Sequence, residues 1–168
     1  VTVSDNNGCT AVDDVTVIIS SVVADAGPDQ TICLGSSTML TATGGISYVW
    51  NTGAVGATIT VNPSNFNTYT VTVTNANGCT AVDQVNVSVE SVTANAGQDV
   101  QVCIGESTTI TATGGTFYQW STGATTSSIT VSPTTATVYE VTVSNANGCI
   151  ATDEVVVYVP IPNAELGP

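Results

Sequence analysis

The sequence contains no lysine, arginine or histidine, so its 13 acidic residues give a formal net charge of −13 with no basic side chain to balance them. Nucleic-acid binding depends on Lys and Arg that displace counterions from phosphates, and attraction to anionic membrane surfaces needs the same side chains. Both classes of partner are therefore excluded. The Ser–His and Cys–His nucleophile pairs cannot be built either, so we predict a protein that is not an enzyme and has no catalytic residues.

Long hydrophobic runs are also missing. The longest nearly apolar stretch, residues 15–24, is interrupted by Thr16, Ser20 and Ser21, whereas a membrane-spanning helix needs about 20 apolar residues. We therefore expect no membrane insertion. Since 42% of the residues are hydrophobic and only 8% are charged, the chain also lacks the profile of a disordered protein. Thr and Ser make up roughly a quarter of the residues and Val is abundant, a bias that favours β-sheet.

The chain repeats itself with a period of 70 residues. The sequence NANGC at residues 75–79 recurs at 145–149, and TATGG at 41–45 recurs at 111–115. About half of the positions in residues 24–93 and 94–163 are identical, which shared composition alone does not explain. We therefore predict two full repeats, at 24–93 and 94–163. Residues 1–23 are expected to be the last two strands of a preceding repeat and residues 164–168 the start of the next, so that the chain is part of a longer array.

Each repeat contains short alternating runs separated by Gly, Pro and Asn, a pattern typical of β-strands and turns. The predicted strands of the first full repeat cover residues 25–33, 37–43, 47–51, 57–61, 68–75 and 79–89. The sequence NANG between the last two has the turn residues of a tight hairpin. No helical period is present. The pattern predicts an all-β chain built of small antiparallel β-sandwiches.

Three segments of each repeat resemble a known family. In the first repeat they are Leu40-Thr41-Ala42, Tyr48-Val49-Trp50 and Tyr69-Thr70-Val71, which resemble strands B, C and F of the immunoglobulin fold. With the start ADAGPD at 24–29 and the ending NANGCTA at 75–81, the repeats are similar to the PKD-like and Ig-like repeats of large secreted surface proteins of the Bacteroidetes, among them gliding-motility adhesins. The resemblance implies tandem Ig-like or PKD-like sandwiches in a linear array on the cell surface.

The same resemblance assigns the aromatic core. Strand C of an Ig-like sandwich buries a large aromatic side chain. We therefore expect Trp50 and Trp120 in the two cores rather than on a sugar-stacking surface. Tyr69 and Tyr139 are expected to join them.

Five cysteines and no histidine argue against a zinc-finger site, and extracellular Ig-like repeats imply an oxidising environment, so we predict disulfides. Two pairings fit the repeat. Cys33 bonds Cys149 between domains, or Cys33 bonds Cys79 and Cys103 bonds Cys149 within domains. Cys9 is expected to bond a partner outside this chain.

The order of strands helps to weigh these pairings. In an Ig-like unit Cys33 and Cys79 would lie at opposite ends of strands of about 27 Å, too far for a disulfide. One strand fewer between Trp50 and Tyr69 would reverse the last hairpin and bring the two cysteines to the same end. Both pairings therefore remain hypotheses.

The recurring carboxylates also have two interpretations. Solvated surface charge is the simpler one, because no dense acidic motif is present. The alternative is structural Ca²⁺, which takes six to eight oxygen ligands and is found at junctions between extracellular β-domains. Its candidate ligands are Asp25, Asp29, Asp83, Asp99 and Asp153. No other cofactor is indicated.

Together these features predict a structural or adhesive stalk segment of a large secreted bacterial adhesin or extracellular fibre. Its expected partners are the neighbouring repeats of the same long chain, with a surface glycan or another cell-surface protein as the adhesive target. Lateral self-association into filaments is a further hypothesis. The alternative function is a carbohydrate-binding module of a secreted hydrolase, which would require an exposed aromatic platform.

Overall fold

The computed structural model describes residues 1–161, and the predicted start of a further repeat at 164–168 lies outside that range. The secondary structure in it is β-sheet and turns. In chain order the strands are β1 (Thr2–Ser4), β2 (Thr10–Val12), β3 (Gln30–Cys33), β4 (Thr38–Thr41), β5 (Ser47–Trp50), β6 (Thr58–Val61), β7 (Asn67–Thr74), β8 (Thr80–Glu90), β9 (Val100–Gln101), β10 (Thr108–Thr111), β11 (Phe117–Trp120), β12 (Ser128–Val131), β13 (Thr137–Ser144) and β14 (Ile150–Tyr158).

The strands form two equivalent sets of sheets. In the first set a four-stranded sheet has the order β3-β8-β7-β5 and a two-stranded sheet contains β4 and β6. The second set repeats this arrangement as β9-β14-β13-β11 and β10-β12. The pairs are antiparallel except at one edge of each four-stranded sheet, where β3 pairs with β8 and β9 with β14 in parallel. The prediction of an all-β chain with tandem Ig-like β-sandwich domains is confirmed.

The first predicted strand, residues 25–33, is wrong in its extent. Asp25 forms an isolated bridge with Thr43, next to β4, whereas Gln30 pairs with Val87 of β8 in the other sheet. The chain changes sheets between these two points, where Gly27 has a positive φ of 81° and Pro28 follows. A single regular strand cannot contain that turn, because Pro has no N–H to donate to a ladder.

The repeated TATGG sequence has a steric explanation. A Cβ atom placed on Gly44 would lie 1.8 Å from the carbonyl oxygen of Val23, and one on Gly114 would lie 1.8 Å from that of Thr93. Both glycines also have positive φ. Only glycine therefore allows the backbone to approach this closely at the end of the strand.

The core of the second sandwich consists of alternate side chains from its strands. Val141 and Val143 of β13 and Val155 and Val157 of β14 are fully buried, while the residues between them are partly or fully exposed. This alternation follows from the period of two in a β-strand. The buried cluster is completed by Ala96, Ile110, Ala112, Trp120, Ile129, Val131 and Tyr139. The positions 70 residues earlier in the sequence are also buried.

Residues 1–24 lack such burial. β1 and β2 form an antiparallel hairpin whose residues are all exposed. Val15 and Val17 are 84% and 81% exposed, whereas Val85 and Val87, 70 residues later, are 0% exposed. The same alternating valines are thus buried where they are part of a complete sandwich and exposed where they are not.

The described chain divides into two compact units. The first unit comprises residues 1–27, 41–59 and 70–84; the second comprises residues 28–40, 60–69 and those from 85 onward. Cys33 and Cys149 both belong to the second unit, while Cys79 belongs to the first.

Candidate functional site

The site with the clearest chemistry is a disulfide between Cys33 and Cys149. Cys33 is the last residue of β3, and Cys149 immediately precedes β14. The two residues are 116 positions apart in the sequence, and their Cα atoms are 5.3 Å apart. The bond therefore links the first Ig-like repeat to the second. This is the between-domain pairing of the two that the sequence allowed.

The within-domain pairing does not form, for a reason visible in the sheet. β3 runs parallel to β8, so Cys33 lies opposite Glu90 at the far end of that strand. Cys79 precedes β8, and the strand between Cys79 and Glu90 is about 35 Å long at the usual rise per residue. A disulfide requires Cα atoms within about 7 Å. One strand, β6, lies between β5 and β7, as the sequence predicted, so the hairpin of β7 and β8 is not reversed.

The cysteine at 149 is held by the NANGC turn. The side-chain oxygen of Asn145 accepts hydrogen bonds from the backbone N–H groups of Asn147, at 3.1 Å, and Cys149, at 2.9 Å. This pattern is that of an Asx turn, in which a side-chain amide replaces a backbone acceptor. The Asn145 Nδ2 donates to a carboxylate oxygen of Glu90 at 2.7 Å. The turn is thereby tied to the end of β8.

The surroundings of the disulfide form a small cleft. Its volume is about 170 Å³, and Glu90, Ser91 and Val92 line it together with both cysteines and their neighbours Leu34 and Ile150. The backbone N–H of Leu34 donates to the carbonyl oxygen of Glu90 at 2.8 Å. Cys149 is 3% exposed, whereas Cys33 is half-buried. A cleft of this size is too small for a drug-sized ligand.

The roles of Asn145 and Glu90 were not predicted from the sequence. The Asn of NANGC was assigned only to a hairpin, because its sequence gives no sign that its amide reaches a residue 55 positions away. The replacement of Glu90 by Pro160 in the second repeat was the available signal that this position is not a uniform part of the repeat.

Two of the candidate calcium ligands, Asp83 and Asp153, accept hydrogen bonds from backbone N–H groups. A carboxylate oxygen of Asp83 accepts a hydrogen bond from the backbone N–H of Ala26 at 2.7 Å, and Asp153 accepts one from Ala96 at 2.8 Å. Both contacts are partly buried and join residues 57 positions apart. Each carboxylate therefore supplies an acceptor to a backbone N–H that would otherwise lack one.

Asp29 and Asp99, which each precede an edge strand, also accept hydrogen bonds from backbone N–H groups. Asp29 accepts hydrogen bonds from the backbone N–H of Asn86 at 2.8 Å and from its side-chain amide at 3.0 Å. These two bonds, the backbone one first, lower the pKa of Asp29 below its ordinary value of 3.8. Asp99 accepts one from the backbone N–H of Val156 at 2.9 Å.

The fifth candidate, Asp25, accepts a hydrogen bond from the backbone N–H of Gly27, two residues on. Across residues 1–161, no three His, Cys, Asp or Glu side chains come together in a way that could hold a metal ion. The same part of the chain contains no helix with the length and apolar character needed to cross a bilayer.

The tryptophans lie inside the sandwiches. Trp50 and Trp120 are each 2% exposed, and their indole N–H groups donate to the backbone oxygens of Gly56 at 3.0 Å and Thr126 at 2.9 Å. Burial of the ring with its single donor satisfied is typical of a core tryptophan. Tyr69 and Tyr139 are 4% and 9% exposed. None of the four can therefore stack on a sugar.

An exposed aromatic does occur elsewhere. Phe66 is 64% exposed and lines an open pocket of about 430 Å³ with polar neighbours on the loop between β6 and β7. The lining residues are Asn62, Pro63, Ser64, Asn65, Asn67 and Tyr69. The second repeat has Ala136 in place of Phe66. The pocket is therefore a feature of one repeat.

Several solved structures share the fold. The Ig1 and Ig2 domains of DIP-gamma are 14% identical, with a TM-score of 0.43, over 84% of this chain and 95% of that one. Immunoglobulin domains 1–4 of Sidekick-1 are 15% identical, with a TM-score of 0.47, over 95% of this chain and 57% of theirs. A 1.5-MDa bacterial ice-binding adhesin is 14% identical, with a TM-score of 0.38, over 83% of this chain and 66% of that structure.

No protein-family model and no curated protein sequence matches this chain. These three structures are 14–15% identical to this chain, so the likeness concerns the fold alone. The chain spans about half to two thirds of the Sidekick-1 and adhesin structures.

Proposed function

We propose that this chain is a structural or adhesive stalk segment of a secreted cell-surface protein and has no catalytic role. In this proposal the repeats are residues 24–93 and 94–163, residues 1–23 belong to a preceding repeat, and residues 164–168 begin the next. The partners are neighbouring repeats of the same chain, and a glycan or protein on a surface is the adhesive target.

The observation that supports this function best is the Cys33–Cys149 disulfide. A bond between successive repeats carries tension directly from one to the next, so that most of each sandwich lies outside the load path. The bond also favours an oxidising compartment, since disulfides persist outside the cell and are reduced in the cytosol. The acidic surface without basic side chains adds mutual repulsion between neighbouring sheets and keeps their edges from associating.

Location and assembly can be tested on the cells that produce the protein. Immunogold electron microscopy with an antibody against this chain should label the surface of unpermeabilised cells, on projections or filaments. Removal of the label by mild surface proteolysis, with a cytoplasmic protein retained, provides the control. Labelling only after permeabilisation would contradict the proposal.

A carbohydrate-binding module is the second candidate, and the Phe66 pocket is the observation in its favour. An exposed ring beside three asparagine amides has the composition of a sugar-binding surface, since the ring can stack on a pyranose and the amides can bond its hydroxyls. Isothermal titration calorimetry against a polysaccharide panel would detect saturable binding. Phe66→Ala should abolish it, while Phe117→Ala, which removes another exposed ring, should not.

A further inference from the structure

Cys79 lies in a close copy of the site that holds Cys149. The side-chain oxygen of Asn75 accepts hydrogen bonds from the backbone N–H groups of Asn77 and Cys79, both at 3.0 Å, as Asn145 does in the second turn. The Asn75 Nδ2 donates to the hydroxyl of Ser20 at 3.0 Å. Ser20 is the residue 70 positions before Glu90, which receives the equivalent bond from Asn145.

The sulfur atoms are also equivalently placed. Cys79 Sγ lies 3.5 Å from the carbonyl oxygen of Ser20, and Cys149 Sγ lies 3.9 Å from that of Glu90. In the second turn this position carries a disulfide to Cys33, whereas Cys79 is a free, half-buried thiol. The turn at Cys149 therefore suggests the partner for Cys79, a cysteine at the end of a β-strand.

An independent feature next to Cys79 indicates the same ligand. In the first repeat, residues 87–90 of β8 pair in parallel with β3, and this pairing places Cys33 opposite Glu90. The corresponding residues 17–20 belong to no strand of the described chain. Val17, Ile18 and Ile19 are 81%, 82% and 93% exposed. Their backbone is an unpaired edge with apolar side chains, which is the surface that accepts an added strand.

We propose that residues 17–20 and Cys79 together form an acceptor site for a β-strand that ends in cysteine. The strand pairs in parallel with residues 17–20, and its cysteine forms a disulfide with Cys79. We assign the donor to another Ig-like repeat, because this chain has such a strand twice, as Gln-Thr-Ile-Cys at 30–33 and as Val-Gln-Val-Cys at 100–103. The register follows from the first repeat, with the donor cysteine opposite Ser20.

The bond forms by thiol–disulfide exchange. The thiolate of Cys79 attacks a small disulfide such as oxidised glutathione, and one glutathione thiolate leaves. The donor thiolate then attacks the sulfur of Cys79 and displaces the second glutathione thiolate. Two protein thiols are oxidised, and one glutathione disulfide is reduced to two thiols. This site extends the stalk proposed above, because it is where a further repeat would be covalently attached.

A peptide with the sequence of residues 29–36 tests the site on the full chain. The chain and the peptide are incubated in a glutathione redox buffer, and the fraction of Cys9, Cys79 and Cys103 linked to the peptide is measured by mass spectrometry. Trypsin cannot cut this sequence, so an acid-specific protease and chymotrypsin are used together. The peptide should prefer Cys79 over the other two by on the order of tenfold, because strand pairing raises its effective concentration there.

Accessibility alone predicts the opposite order, since Cys9 and Cys103 are exposed and Cys79 is half-buried. The control peptide carries Ile32→Pro, which removes an N–H and prevents regular pairing. It should show no preference. Equal linkage of the three cysteines, or the same preference with both peptides, would overturn the acceptor site. Either failure would leave the Cys33–Cys149 bond and the surface-labelling test of the stalk unaffected.

Discussion

Replacing both Cys33 and Cys149 by serine should lengthen the chain markedly when its two ends are pulled apart. With the disulfide intact, tension passes from β3 through the two sulfur atoms to β14. The strands from β4 to β13 lie inside the closed loop and cannot be extended. Without the bond, the same tension has to pass through every strand in turn.

The size of this effect follows from the sequence separation of the two cysteines. The 116 residues between them would span about 400 Å when fully extended, against the 5.3 Å between their Cα atoms in the folded protein. The closed loop also restricts the unfolded chain. In the chain-entropy model, a loop of this length stabilises the folded state by about 5 kcal/mol.

Single-molecule force spectroscopy measures the released length directly. The chain is placed between two marker domains, and contour-length increments are recorded for the oxidised protein, the reduced protein and the double serine variant. The second and third should each gain increments totalling about 400 Å over the first. Cys103→Ser is the matched control and should behave as the oxidised parent, because Cys103 is a free thiol. Equal total extension in the oxidised and reduced proteins would refute the proposed load path.

Three further predictions concern the carboxylates. Asp153→Asn should lower the free energy of unfolding by about 1–2 kcal/mol in urea titrations, because it weakens the charged acceptor for the N–H of Ala96; Glu154→Gln, on the exposed face of the same strand, should leave it nearly unchanged. The lowered pKa of Asp29 adds stability that is complete above the ordinary pKa of 3.8 and is lost as the pH falls through the lower folded value. Thermal melts at acidic pH should thus show a weaker decline for Asp29→Asn than for the parent. EDTA should not shift the melting temperature, because the candidate calcium ligands bind backbone N–H groups instead of converging; a drop reversed by Ca²⁺ would contradict this.

Much of the fold could be predicted because it depends on local pattern. Alternation along residues 68–75 and 79–89 predicted β7 and β8 to within one residue at each end, since a strand with one buried face has to alternate. The prediction of one strand at 25–33 was wrong because pairing with distant strands decides its extent. Its two halves pair with different sheets. Gly27-Pro28 is a local turn signal, but the partners on either side of it, Thr43 and Val87, cannot be recognised from the segment's own residues.

The roles of the aspartates were equally inaccessible to sequence. Asp83 and Asp153 recur with the period, which indicates a structural or binding role but does not distinguish the two. Only the fold brings their carboxylates to backbone N–H groups 57 residues away. A carboxylate that accepts such a bond and one that binds a cation have the same local sequence, because what differs is the donor that approaches it.

By itself, the sequence determined the 70-residue repeat and the all-β class, because periodicity and hydrophobic alternation are properties of neighbouring residues. Which cysteines pair was decided only by the tertiary structure. The parallel pairing of β3 with β8 moves Cys33 to the far end of the sheet from Cys79, and Cys149 is the cysteine that the fold brings within bonding distance.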